Sequence, residues 1–123
     1  MRMLFLSLLV ALGVSTAPRA AMAFFFDGYK LCDWCNVADE GSNKSMCTGF
    51  IGGVVDGQSN LRDLSGVDYV QIGELKYWRP GSVTMNQIAN IVLKYLIDTP
   101  EKRHFSAAGL IFFAMVRAFP CPE

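Results

Sequence analysis

Histidine is almost absent from this sequence, since His104 is the only one among 123 residues. A zinc site would have to combine it with Cys32, Cys35 and Cys47, but thiols in an oxidising compartment tend to form disulfides instead. Asn36 stands where a covalent haem site needs histidine after Cys35, and no βαβ pattern of a thioredoxin-like fold surrounds the two cysteines. No group of residues in the sequence stands in a context typical of a catalytic triad or of a catalytic carboxylate pair. We therefore expect neither an enzyme nor a bound cofactor or metal.

Apolar runs long enough to cross a membrane are also missing. The run near the N-terminus covers residues 4–14, whereas a helix that spans a bilayer needs about 20 residues. Arg2 precedes this run, and small residues ending at Ala23 follow it, as in a secretory signal peptide. The sequence therefore predicts a cleaved signal peptide over residues 1–23. A single secreted domain without a membrane span remains over residues 24–123.

A large net charge of either sign is missing as well. The full sequence has eleven basic and eleven acidic residues. Removing Arg2 and Arg19 with the signal peptide leaves nine basic and eleven acidic residues, a net charge of −2. No charge run, repeat or low-complexity segment is present. This balance argues against a nucleic acid or an anionic membrane surface as the partner.

Apolar spacing predicts helices in the first half of the domain. A short helix is expected over residues 28–37, followed by a polar turn over residues 38–43. Ser42 or Asn43 can cap a second helix. The apolar face of that helix would carry Met46, Cys47, Phe50, Ile51, Val54 and Val55. Because several glycines weaken a helix here, a strand is the alternative.

The second half has clearer helix signals. Thr84 and Gln87 form a capping box at the start of a helix that should end near Asp98. Thr99-Pro100-Glu101 has the order expected at the N-terminus of a last helix, apolar on nearly all sides and ending near Ala118. Residues 57–82 lack a sustained period and are predicted as a long loop that could hold one helical turn. Loops of this length are usually functional or disordered.

Two stretches resemble a known family. CTGFIGGVVDG, residues 47–57, is similar to the Cys-x-Gly-Tyr-Ile-x-Gly-Val-x-Asp signature of the Rap/Tai family of periplasmic immunity proteins. WRPGSVTMNQIANIVLKYLIDTPEKRHFSAAGLIFFAMVRAFPC, residues 78–121, resembles that family's C-terminal half. The resemblance covers about residues 28–121. It implies an all-α fold, a small disulfide-stapled bundle of about four helices similar to the periplasmic acid-stress chaperones.

This resemblance also implies a function. Such proteins bind and inhibit a secreted peptidoglycan amidase effector of type VI secretion by inserting a loop into its active site, and they often form homodimers. The polar and aromatic segment 57–82 is the candidate binding surface, unless it is an ordinary solvated loop. Its candidate contact residues are Arg62, Asp63, Asp68, Tyr69, Gln71 and Glu74. The alternative function is that of a general periplasmic helper or acid-stress chaperone on the same fold.

Four cysteines in an oxidising compartment indicate two disulfides. Cys35 and Cys47 align with the first two cysteines of the Rap/Tai family, and Cys121 aligns with the last. Trp78 occupies the place of a further family cysteine, and Cys32 is an additional one. The resemblance therefore implies a Cys35–Cys47 disulfide and leaves Cys32 and Cys121 to pair. The competing arrangement is Cys32–Cys47 with Cys35–Cys121.

Overall fold

A computed structural model describes residues 24–38 and 40–123 of the chain. The predicted signal peptide and Asp39 of the predicted polar turn lie outside this part. The elements in chain order are α1 (Gly28–Cys35), α2 (Ser42–Ser65), β1 (Val70–Ile72), β2 (Leu75–Tyr77), α3 (Met85–Asp98), a 3-10 turn (Pro100–Lys102) and α4 (Ala107–Ala118). The fold is mostly helical, as predicted, but its two-stranded antiparallel sheet corrects the expectation of an all-α protein. Among the described residues, no helix combines the length and the apolar character that crossing a membrane requires.

The first two helices form where the apolar spacing predicts them. The Asp27 side chain caps α1 by accepting a hydrogen bond from a backbone amide of the first turn. The cap of α2 is Gly41, rather than the predicted Ser42 or Asn43, and no side chain caps this end. The strand alternative is wrong because α2 is one continuous helix. It ends at Gly66, whose φ of 69° is the left-handed conformation that glycine adopts readily after a helix.

The long loop predicted over residues 57–82 is wrong. The second helix continues through its first part to Ser65, and a β-hairpin occupies its middle. Gly73 is the first residue of the two-residue hairpin turn and has a φ of 62°, as a type II′ turn requires. Each strand has three residues, which is too short for an alternating pattern to be distinctive in the sequence.

The helix predicted after Thr84 is confirmed together with its capping box. The Thr84 amide donates to the Gln87 side chain at 2.8 Å, and the Gln87 amide donates to the Thr84 hydroxyl at 3.3 Å. The predicted start of the last helix at Thr99-Pro100-Glu101 is wrong, since these residues open only the 3-10 turn. The last helix begins at Ala107, where the Ser106 hydroxyl caps it by accepting the Gly109 amide at 3.1 Å.

The chain between the 3-10 turn and α4 stays irregular because its carbonyl groups bind the start of α1. The Gly28 amide donates to the Phe105 carbonyl at 3.0 Å, and the Tyr29 amide donates to the Arg103 carbonyl at 3.1 Å. A Cβ atom on Gly28 would lie 2.8 Å from the Arg103 carbonyl oxygen and would overlap the Leu110 side chain. Glycine at this position therefore allows α1 to approach the segment before α4.

All four helices and the hairpin contribute to one hydrophobic core. Its fully buried side chains include Leu31, Ile51, Val92, Leu96, Leu110, Ile111 and Met115. The last helix supplies a large share of this core, but it is less enclosed than its composition predicts. Phe113 on its outer face is 40% exposed. Only one face of α4 is therefore buried in the core.

One of the two predicted disulfides is present. Cys35 and Cys47 are bonded, with their Cα atoms 5.0 Å apart, and join the end of α1 to the first turns of α2. Cys32 and Cys121 are free, so the predicted Cys32–Cys121 disulfide is wrong, and so is the competing arrangement. Cys32 is buried on α1, whereas Cys121 lies beside the hairpin, in a groove that Lys76 also lines. The two thiols therefore belong to different parts of the fold.

Candidate partner-binding site

The six residues predicted to contact a partner lie along the end of α2 and the hairpin. A groove with a volume of about 260 Å³ runs between α2 and β1 and includes Arg62, Tyr69 and Gln71. Asp63, Asp68 and Glu74 do not line this groove. The structure therefore places half of the predicted set in one concave surface, which we call the α2–β1 groove. The binding role of all six residues remains a prediction.

Two cationic side chains of this region have partners at the surface. The Arg62 guanidinium donates two hydrogen bonds to one Asp63 carboxylate oxygen, at 2.7 and 2.9 Å. Asp63 is 65% exposed, so this pair contributes at most about 1 kcal/mol to stability. The Lys76 ammonium lies 5.2 Å from the centre of the Tyr69 ring. A partner could replace either contact at low cost.

Apolar residues that the sequence analysis did not select surround the groove. Val70, Ile72, Leu75 and Tyr77 share one face of the hairpin, because side chains alternate along a strand. Val70 and Tyr77 are buried, but Ile72 is 51% exposed and Leu75 is 44% exposed. Leu61 on α2, which lines the same groove as Ile72, is 60% exposed. The apolar face of the hairpin is therefore buried at its root and about half exposed at its tip.

A sequence signal for this hairpin does exist. Apolar residues alternate in Val70-x-Ile72 and in Leu75-x-Tyr77, on both sides of Gly73-Glu74. A glycine between two alternating segments is a recognised hairpin signal. Each segment is so short that the signal is weak without the packed structure.

A buried hydrogen bond holds the hairpin on α2. The Tyr77 hydroxyl donates to the Gln58 side-chain oxygen at 2.7 Å, and only 1% of Tyr77 and 8% of Gln58 are exposed. Burial raises the pKa of Tyr77 from 10.0 to about 12, against the opposing positive charges of Arg79 and Arg62. The neutral phenol is thus favoured in the folded protein. This contact fixes the root of the hairpin, so the position of its tip relative to α2 is defined.

A second groove lies between α3 and α4, and the charged residues that line it contact one another. Asp98 accepts a hydrogen bond from the Lys94 ammonium at 2.7 Å, and Arg117 of α4 lies 3.6 Å from the same carboxylate oxygen. The hydrogen bond from Lys94 lowers the pKa of Asp98 below its ordinary value, and the charges of Lys94 and Arg117 act in the same direction. These groups satisfy one another and link the two helices. In the part of the chain that the structure describes, no three acidic, histidine or cysteine residues are grouped to hold a metal ion.

The family model of the Rap1a immunity proteins matches residues 27–121, which include every element from α1 to α4. The chain belongs to the Rap1a immunity protein family. No curated protein sequence matches it closely enough to count as a relative. Family membership confirms the resemblance predicted from residues 47–57 and 78–121. It also indicates a role in immunity to a type VI secretion effector, and hence binding to a partner protein.

Proposed function

We propose that this Rap1a family member is a periplasmic immunity protein that binds a type VI secretion peptidoglycan amidase and blocks its active site. The observation that supports this most directly is the uncovered apolar tip of the hairpin. Ile72 and Leu75 face the same side as the core residues Val70 and Tyr77 but are not covered by the helices. An exposed apolar cluster rimmed by polar groups is typical of a protein-binding surface.

The apolar residues of this surface would contribute to the affinity of a complex. Complete burial of a leucine or isoleucine side chain contributes about 1.5–3 kcal/mol, so covering the exposed half of Leu61, Ile72 and Leu75 would contribute about 1 kcal/mol for each. A few buried apolar residues at the centre of an interface commonly supply most of its affinity. Arg62 is available at the rim for hydrogen bonds.

The hairpin is also suited in shape to entering an enzyme cleft. Its root is fixed to α2 by the Tyr77–Gln58 hydrogen bond, and the Trp78 amide donates to the Phe119 carbonyl at 3.0 Å. These contacts order the hairpin before a partner arrives, so less conformational entropy is lost on binding. An ordered projection inserted into a catalytic cleft excludes the substrate by occupying its site.

A rescue experiment tests this proposal. Cells that export an amidase effector of the same genome to the periplasm should survive when the wild-type protein is co-expressed with its own N-terminal segment. A version without residues 1–23 should not protect them, because the amidase acts in the periplasm. Failure of the wild-type protein to bind or neutralise any such amidase would reject the immunity proposal.

A matched pair of substitutions locates the surface. Ile72→Asp should abolish protection and binding, since a carboxylate would replace an apolar contact at the centre of the interface. Ile97→Asp is the control, because Ile97 on α3 has the same 51% exposure as Ile72. Circular dichroism should show equal helical content for both variants. Equal protection by Ile72→Asp and the wild type would place the interface elsewhere on the protein.

A further inference from the structure

The two strands direct some of their backbone groups away from each other. Ile72 and Leu75 close a two-residue turn, so they exchange backbone hydrogen bonds, and so do Val70 and Tyr77 two positions away. The pair between them, Gln71 and Lys76, is the non-hydrogen-bonded pair of the ladder. The N–H and C=O groups of these two residues therefore point to the outer edges of the hairpin.

The outer edge of β2 is in part already occupied. Trp78 follows Lys76 by two positions and so directs its amide to the same side. That amide donates to the Phe119 carbonyl at 3.0 Å, which places the segment after α4 beside β2. The hydrogen bond also confirms the outward direction deduced for Lys76. The outer edge next to β2 is thus covered by the protein itself at Trp78.

The outer edge of β1 is free and faces a groove. The α2–β1 groove is lined by residues of α2, of β1 and of the short connection between them, and by none of β2. It therefore lies on the side of β1 that is opposite to β2. Within residues 24–38 and 40–123, no backbone hydrogen bond fills this edge at Gln71. The Gln71 side chain instead donates to the Gly73 carbonyl at 2.8 Å, next to the same edge.

We propose that the free edge of β1 binds an extended segment of the amidase effector, which adds a third strand to the sheet in the α2–β1 groove. This inference rests on the proposed function. Its main-chain groups would pair with the outward N–H and C=O of Gln71. Its alternate side chains would contact Leu61 and Ile72, which are 60% and 51% exposed. Strand addition of this kind combines main-chain hydrogen bonds for affinity with side-chain contacts for specificity.

The unpaired backbone groups favour an extended segment over a helix as the occupant of the α2–β1 groove. An unpaired strand edge presents a row of backbone donors and acceptors, which another strand can pair with. A helix cannot pair with them in this way, because its own backbone groups are already hydrogen-bonded to one another. Arg62 at the groove wall can turn from Asp63 toward a carboxylate of the segment.

Proline substitutions test the strand addition directly. Proline is tolerated on an edge strand where the amide faces outward, so Gln71→Pro removes one outward donor and leaves the hairpin ladder intact. Gln71→Ala keeps that donor and removes only the side chain. Lys76→Pro makes the same backbone change on the opposite edge. Binding of the amidase, measured by calorimetry, should weaken about tenfold for Gln71→Pro, because a buried carbonyl of the segment loses its donor. Lys76→Pro should bind within about threefold of the wild type, and Gln71→Ala, which keeps the amide, should bind about tenfold more tightly than Gln71→Pro.

Amide hydrogen exchange of the wild-type complex provides a measurement that needs no variant. The Gln71 amide should exchange at least about tenfold more slowly when the amidase is bound, whereas the Lys76 amide should be unchanged. If the amidase binds but Gln71→Pro keeps full affinity, or the Gln71 amide stays unprotected, strand addition is overturned while the immunity function stands. If the wild-type protein binds no amidase, the proposed function itself fails, and strand addition fails with it.

Discussion

Replacing Tyr77 by phenylalanine should lower the free energy of unfolding by about 1–2 kcal/mol at neutral pH. The variant keeps the ring and its packing but leaves the buried Gln58 oxygen without its donor at 2.7 Å. A net hydrogen bond contributes about 1 kcal/mol, and an unsatisfied buried acceptor costs about 1–3 kcal/mol. Because 8% of Gln58 is exposed and it lines the α2–β1 groove, water can reach it, which favours the lower half of that range.

The measurement is urea unfolding followed by far-ultraviolet circular dichroism. A double-mutant cycle with Gln58→Leu should give a coupling energy of about 1 kcal/mol, because each single variant leaves one polar group unpaired and the double variant leaves none. The dependence of the free energy of unfolding on urea concentration should be the same for the wild type, the two single variants and the double variant. Equal stability of Tyr77→Phe and the wild type would refute the structural role of this hydrogen bond.

Alkaline pH gives a second test of the same contact. Burial raises the pKa of Tyr77 from 10.0 to about 12, so the folded protein retains the phenol proton over a pH range in which the unfolded chain has lost it. The stabilisation is complete below about pH 10 and is lost as the pH rises to about 12, with a total loss of about 3 kcal/mol. Tyr77→Phe should lack this decline, whereas Tyr69→Phe, which leaves the Tyr77–Gln58 contact in place, should retain it. Parallel pH profiles of the wild type and Tyr77→Phe would contradict the assignment.

Two further predictions concern the packing of α1. Gly28→Ala should destabilise the protein by about 1–3 kcal/mol through overlap with the segment before α4, whereas Gly49→Ala, where an added Cβ meets nothing within 4 Å, should stabilise it by up to about 1 kcal/mol. Urea unfolding of the two variants distinguishes this from a general effect of adding a methyl group. Reduction of the Cys35–Cys47 disulfide, which spans 12 residues, should cost about 3 kcal/mol. The melting temperature with and without reductant measures that loss, and an unchanged melting temperature would mean that the bond does not constrain the unfolded chain.

The helices that the sequence predicted correctly are those with local signals. The third helix begins at the capping box of Thr84 and Gln87 and ends at Asp98, as predicted. The sequence could indicate this helix because its start signal involves only residues within one helical turn. The Cys35–Cys47 disulfide was implied by the alignment of these two residues with the first two cysteines of the family rather than by their spacing. Membership in the Rap1a family was likewise indicated by the order of motifs along the chain.

The hairpin and the site depended on contacts between distant residues. Val70 is buried and Ile72 is exposed because of where α2 and α4 end. The residues that neighbour Val70 and Ile72 in the sequence do not determine where those helices end. The two free thiols also depend on tertiary contacts. Cys121 lies in the segment after α4, where the Phe119 carbonyl accepts the Trp78 amide, whereas Cys32 is buried on α1.

The sequence by itself determined the composition of the candidate surface but not its shape. It placed Arg62, Tyr69 and Gln71 in a polar and aromatic segment, with Asp63 and Glu74 as equal members. Only the tertiary structure brought the first three into the α2–β1 groove and left the other two outside it. The physical reason is that side-chain direction alternates along a strand and rotates along a helix, so neighbours in sequence face different sides once both elements are fixed against the core.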